Sequence, residues 1–244
     1  MLRATIDTTI LQSSIKAMSA LIDEAIMVID TNGATSRAVD AANAAMATMS
    51  IPSTQFSTLD ATETQLGLDL VKLSSILSMA SKSSYTTLSI DEDTHKLNVL
   101  FDGFSYTLSL LDPTNMRNPP SVPELDLPAE ITIDGAVFKQ MVKAASMAGD
   151  NMRMGVHDKS FFMETTGIDD NVRMDLSESE LIGLKSADVS SLFSLGYLTD
   201  VSKAILSASE VVIKLGRDLP VIIEFEPSAD CPVVYILAPR ITDD

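Results

Sequence analysis

The sequence predicts an α+β fold made of two similar β-rich domains, each carrying two helices on one face of its sheet. Three observations predict it. Five of the ten prolines crowd into DPTNMRNPPSVPELDLP (112–128), which can be neither a helix nor a central strand. The chain on either side repeats. ATIDTTILQSSIKAMSALIDEAIMVID and ITIDGAVFKQMVKAASMAGDNMRMGVHD share one register, pairing Ile6 with Ile133, Asp7 with Asp134, Ile15 with Val142, Lys16 with Lys143 and Asp23 with Asp150. Each half also closes on three β-rich runs: TTLSI, KLNVLF and SYTLSLL in the first, VVIKL, PVIIEF and PVVYIL in the second. The expected organisation is an N-terminal domain over 1–113, a connecting linker over 114–128 and a C-terminal domain over 129–244.

Taken in order, each half reads as strand, helix, several strands, second helix, then three strands. An aspartate suited to capping exposed N–H groups precedes each expected helix: Asp7, Asp69, Asp134 and Asp200. Residues 8–22, 70–84, 135–149 and 201–209 then contain no Asp or Glu, although 34 of the 244 residues are acidic. They do contain Lys16, Lys72, Lys82, Lys139, Lys143 and Lys203. Helical spacing sets Leu11, Ile15, Met18 and Ile22 opposite Lys16, and Leu70, Leu73 and Leu77 opposite Lys72 and Lys82. It likewise sets Val137, Met141, Ala145 and Ala148 opposite Lys139 and Lys143, and Val201 and Ile205 opposite Lys203. A solvated helix face usually mixes Glu with Lys. Four faces of lysine and small residues without acids predict a surface turned toward a polyanion, and the lack of interleaved aromatics suits the phosphate backbone of duplex DNA, bound without sequence preference.

The net charge of −17 by itself argues against a nucleic-acid partner, so the distribution of charge carries that reading. Motifs of chemistry are missing: there is no phosphate-binding GxxxxGKS or GxxxxGKT, and no GxGxxG, HExxH or GxSxG. The two histidines, His95 and His157, are expected in separate hairpin turns. The single Cys231 sits in an apolar run and is expected to be buried and inert, which leaves no disulfide framework or cysteine metal site. No enzyme activity, cofactor or metal is expected. With no long apolar run and no signal-like start, the protein is expected to be soluble and cytoplasmic, without a membrane partner.

Five stretches carry a family resemblance: AVDAANAAM (38–46), DEDTHKLNVLFDGFSYTLSLLDP (91–113), VPELDLPA (122–129), SLFSLGYLTDVSKAI (191–205) and LAPRI (237–241). Together they resemble the proliferating cell nuclear antigen family of DNA sliding clamps, especially its archaeal members, along essentially the whole chain. The resemblance implies the DNA clamp fold and a homotrimeric ring with helices lining the hole. It implies a clamp loader, and clients such as DNA polymerase, flap endonuclease and DNA ligase docking through short peptide motifs. By residue, the implied client pocket comprises Val39, Ala44, Met46, Val122, Pro123, Leu127, Pro220, Ile236, Leu237, Ala238, Pro239, Arg240 and Ile241. Leu127 and Ile236 stand where eukaryotic relatives have tyrosine, so an aliphatic pocket is expected. Subunits are expected to pair the edge strand near 104–111 with that near 171–178, bringing Tyr106 and Leu108 to Val172 and Met174. A heteromeric ring of paralogues, or an enzyme on a duplicated scaffold, are the alternative readings.

Overall fold

The computed structural model describes residues 2–81, 83–91, 94–122, 124–207 and 209–241. The chain divides into two compact units, one formed by Met1–Asp40, Ala47–Pro120 and Pro227–Val233, the other by Ala41–Met46, Ser121–Glu226 and Val234–Asp244.

The first half of the chain runs β1 (Leu2–Asp7), α1 (Thr8–Ser19), β2 (Glu24–Asp30), β3 (Gly33–Val39), β4 (Ala45–Pro52), β5 (Phe56–Ala61), β6 (Thr64–Asp69), α2 (Leu70–Leu77), β7 (Tyr85–Asp91), β8 (Lys96–Phe101) and β9 (Phe104–Ser109). The second half runs β10 (Ala129–Asp134), α3 (Gly135–Ala145), β11 (Asn151–His157), β12 (Ser160–Thr166), β13 (Asn171–Ser177), β14 (Gly183–Lys185), β15 (Val189–Ser194), α4 (Leu195–Ala204), β16 (Glu210–Leu215), β17 (Val221–Ser228) and β18 (Cys231–Leu237). Strand neighbours follow the order β5-β1-β7-β8-β9 and β4-β3-β2-β6 in the first half, and β14-β10-β16-β17-β18 and β13-β12-β11-β15 in the second. Each strand of the second half therefore takes the place of the strand nine earlier, so the repeat seen in the sequence is a repeat of topology.

Alternation drives the sheets. In β2, Ala25, Met27 and Ile29 are buried while the residues between them are not. The helices pack by their apolar rows, α1 against α2 and α3 against α4. In α1 the buried row is Leu11, Ile15 and Met18, as the spacing predicts. In α3 it differs: Phe138, Met141, Val142 and Ala145 are buried, while Val137 and Ala148 are only half-buried. Phe138, the largest apolar side chain of α3, is fully buried and sets this rotation, since an aromatic ring removes more apolar area from water than a valine does.

Helices α1, α2 and α3 are also shorter than their acid-free stretches, and α4 begins earlier than expected. It starts at Leu195 behind Ser194, not at Asp200, because Leu195, Leu198, Val201 and Ile205 form one buried row that extends back past the aspartate. Asp200 is consequently inside the helix. His157 is the last residue of β11 and not a turn residue; the turn is Asp158–Lys159, both at positive φ.

Candidate nucleic-acid and partner surfaces

The helix faces come first. Asp7 accepts a hydrogen bond from the Thr9 amide at 2.7 Å and Asp69 one from the Lys72 amide at 2.8 Å, which satisfies N–H groups that the opening turns of α1 and α2 leave free. Lys16 on α1, Lys72 on α2 and Lys143 on α3 are exposed, and among the described residues no carboxylate pairs with them. The other helix lysines differ. Lys203 pairs with Asp200 at 2.8 Å, so α4 presents no excess of positive charge at this pair. Lys139 is half-buried and its Nζ donates to the Ile205 carbonyl at 2.8 Å, closing the C-terminal end of α4 where a cation is favoured. Lys82 lies outside the described residues. Among the described helix lysines, Lys16, Lys72 and Lys143 are therefore the exposed ones without a carboxylate partner.

Both β9 and β13 stand at sheet edges. Among the described residues β9 has β8 as its only strand neighbour, and β13 has only β12. On β9, Phe104 is 53% exposed and Tyr106 half-buried, whereas Leu108 is 7% exposed and belongs to its own domain's core. Phe101, Phe104 and Tyr106 form a ring cluster with centroids 5.8–6.2 Å apart, and the Tyr106 hydroxyl lies 3.8 Å from Met79 Sδ just beyond α2. The sequence reading missed Phe104 and Met79; the alternation Phe104, Tyr106, Leu108 was the available signal. On β13, Val172, Met174 and Leu176 are half-buried on one face. The other face is internally satisfied. Arg173 bonds Glu164 and Asp175 and lies 4.3 Å over the Phe162 ring, which raises its own pKa and lowers that of Asp175.

The apolar patch is smaller than expected. Met46, Ile236 and Leu237 are buried and serve as core. Tyr235, Ile236 and Leu237 interrupt the alternation of β18, since three consecutive buried residues mean that both faces of the strand end are covered. Burial also pushes the Tyr235 hydroxyl pKa up. Val122 and Ile241 are exposed at 46% and 90%, as are Ala238 and Arg240. Ala44, Leu127, Pro220 and Pro239 are half-buried in the second unit, and Val39 is half-buried in the first. Pro123 lies outside the described residues. The tail is tied down by Ala238 N donating to Ala44 O at 2.8 Å and Arg240 N donating to Leu192 O at 2.7 Å. The linker touches Gly216, where an added Cβ would stand 3.0 Å from Asp126 O and 3.1 Å from Leu127 Cδ2.

Residues 1–107 match the model of the proliferating cell nuclear antigen N-terminal domain. The DNA polymerase sliding clamps of Methanosarcina barkeri and Methanocella arvoryzae are 40% and 42% identical to this chain, each over 100% of both sequences. The chain belongs to the DNA polymerase sliding clamp family. Its fold also agrees with that of A. fulgidus PCNA bound to the C-terminal region of FEN-1, with a TM-score of 0.94, 32% identity and 100% of both chains covered. PCNA from Thermococcus kodakaraensis shares the fold at a TM-score of 0.91 and 22% identity.

A sliding clamp is a processivity factor and catalyses no reaction itself. In this clamp His157 accordingly takes a structural place at the end of β11. Its Nδ1 is 3.0 Å from Asp188 and its Nε2 3.3 Å from Asp158, and the hydrogen bond to Asp188 is the main cause of its raised pKa. Among the described residues no group of three His, Cys, Asp or Glu could hold a metal ion, and no helix is long and apolar enough to cross a membrane.

Proposed function

We propose that this clamp closes into a homotrimer around duplex DNA and tethers replication and repair enzymes to it, in the cytoplasm. The observation that carries the reading is the exposed, acid-free lysine on each of α1, α2 and α3, in a chain whose charge is −17. A protein this acidic is repelled by DNA over most of its surface. Lysines without carboxylate partners, on helices that offer small side chains and no base-reading aromatics, suit loose and mobile phosphate contact. Ring closure joins the open edges of β9 and β13.

Clients dock as short peptides on the patch formed by Val122, Leu127 and the tail 238–241, whose exposed apolar groups a soluble protein otherwise covers. DNA polymerase, flap endonuclease and DNA ligase are the expected clients, and a clamp loader the expected opener of the ring. Because the Ala238 and Arg240 amides are already engaged and Pro239 has no N–H, a client strand pairs with the Pro239 carbonyl and the Ile241 amide.

Topology tests the encirclement directly. Clamp loaded onto a nicked circular plasmid is expected to stay on the DNA through gel filtration and to be lost once the plasmid is linearised. Equal retention on circular and linear DNA would show ordinary groove or surface binding instead.

A further inference from the structure

We infer that Ser191 is a positioning residue for client binding: its buried hydroxyl clips the 216–219 turn on which the linker's Leu127 rests. The inference depends on the client-patch reading above. Ser191 lies on β15 between Val189 and Phe193, all three facing the core, and it is fully buried. A hydroxyl in that row is costly unless its hydrogen bonds are satisfied. Here it donates to the Gly216 carbonyl at 2.9 Å and accepts from the Leu219 amide at 3.2 Å, spanning both ends of the turn.

The neighbouring residues of β15 repeat the tie. Among the described residues β15 is an edge strand beside β11, so alternate carbonyls point away from the sheet. Ser190 O accepts from the Asp218 amide at 3.2 Å, Leu192 O accepts from the Arg240 amide at 2.7 Å, and Asp188 O accepts from Arg217 Nη2 at 3.1 Å. Asp218 turns the chain at φ +53°, the left-handed region that aspartate tolerates in tight turns.

Two of the three pieces of the patch are therefore referred to this short strand. The tail is bonded to it through Arg240, and Leu127 sits on Gly216, where there is space for a hydrogen and nothing larger. Pro220 follows directly from the clipped turn. The turn sets the height of the linker's Leu127 relative to the tail, and with it the width of the slot that a client's apolar side chains enter. Without the hydroxyl, the Gly216 carbonyl and Leu219 amide lose their partner and the turn moves to find others.

The test is calorimetric titration of the full-length clamp with a synthetic peptide of the C-terminal region of A. fulgidus FEN-1. Ser191→Ala is expected to weaken binding about tenfold, the effect of one or two lost hydrogen bonds transmitted to the slot. Amide exchange at Leu219 is expected to quicken, with sedimentation unchanged. Leu127→Ser in the same titration controls for the site. If Leu127→Ser weakens binding and Ser191→Ala does not, the positioning role is wrong and the site stands. If neither variant changes affinity, the patch assignment fails and the inference with it. Should Ser191→Ala not fold, Gly216→Ala takes its place: its methyl presses on Leu219 first and then on Asp126 and Leu127, disturbing the same turn and linker, and unchanged affinity in that variant likewise overturns the proposal.

Discussion

Proline at Thr107 is expected to convert the proposed trimer to monomers while leaving each subunit folded. The argument starts from the β8–β9 hairpin. Its loop is the two residues Asp102 and Gly103, both at positive φ, and Phe101 faces Phe104 across it. In such a hairpin the flanking pair is hydrogen-bonded, and bonded pairs then alternate with non-bonded ones. Phe104, Tyr106 and Leu108 thus direct their amides toward β8, and Ser105, Thr107 and Ser109 direct theirs to the open side. Proline at Tyr106 would break the subunit's own ladder. Proline at Thr107 removes only an outward donor and sets a ring where a partner strand must approach. Sedimentation should show a mass near that of one 26.2 kDa chain, with a far-ultraviolet spectrum like that of the parent. Phe104→Ala is expected to act in the same direction, since a half-exposed phenylalanine on an open edge has no other evident cover. A stable Thr107→Pro trimer would mean that the ring closes elsewhere.

The sequence made the topology legible and the burial only in part. The 6/133 to 23/150 register survives as β1–α1–β2 and β10–α3–β11, because the pattern that forms each strand and helix is local. The start of α4 was not legible for a physical reason. Ser194 and Asp200 both stand where a cap can stand, and the choice falls to the packing of Leu195 and Leu198, which no local pattern reveals. Ile236 and Leu237 were expected in the client pocket, yet both are buried at the end of β18. Lys139 and Lys143 were equivalent in the helical pattern. The carbonyl that engages Lys139 belongs to Ile205, 66 residues away, so only the folded chain separates a capping lysine from an exposed one. Ser191 escaped notice for the same reason, one serine among several in SSLFS until the 216–219 turn is folded onto it.

That distinction between lysines fixes the most severe functional lesion. Replacing Lys16, Lys72 and Lys143 together by Glu is expected to abolish clamp-stimulated synthesis on a primed circular template at ordinary salt, with the trimer intact. Each reversal removes a positive charge and adds a negative one on a helix that has no acid of its own. Repulsion at close range is amplified because the duplex concentrates phosphate charge along its axis. Fold and assembly should be spared: all three side chains are exposed, none has a described ion-pair partner, and none lies on β9 or β13. Exposed substitutions of this kind usually change stability by less than about 0.5 kcal/mol. Lys139 is left out because reversing it would place a negative charge at the C-terminal end of α4 and confuse loss of DNA contact with loss of structure. Lys203 is left out because Asp200 already offsets it. Salt adds a second reading. If the parent holds DNA by phosphate contact, its retention on the circle is expected to be topological and nearly salt-independent, whereas its loading should weaken as salt rises. Normal processivity in the triple variant would sink the lining role of these helices, and loss of the trimer would assign the three lysines to assembly.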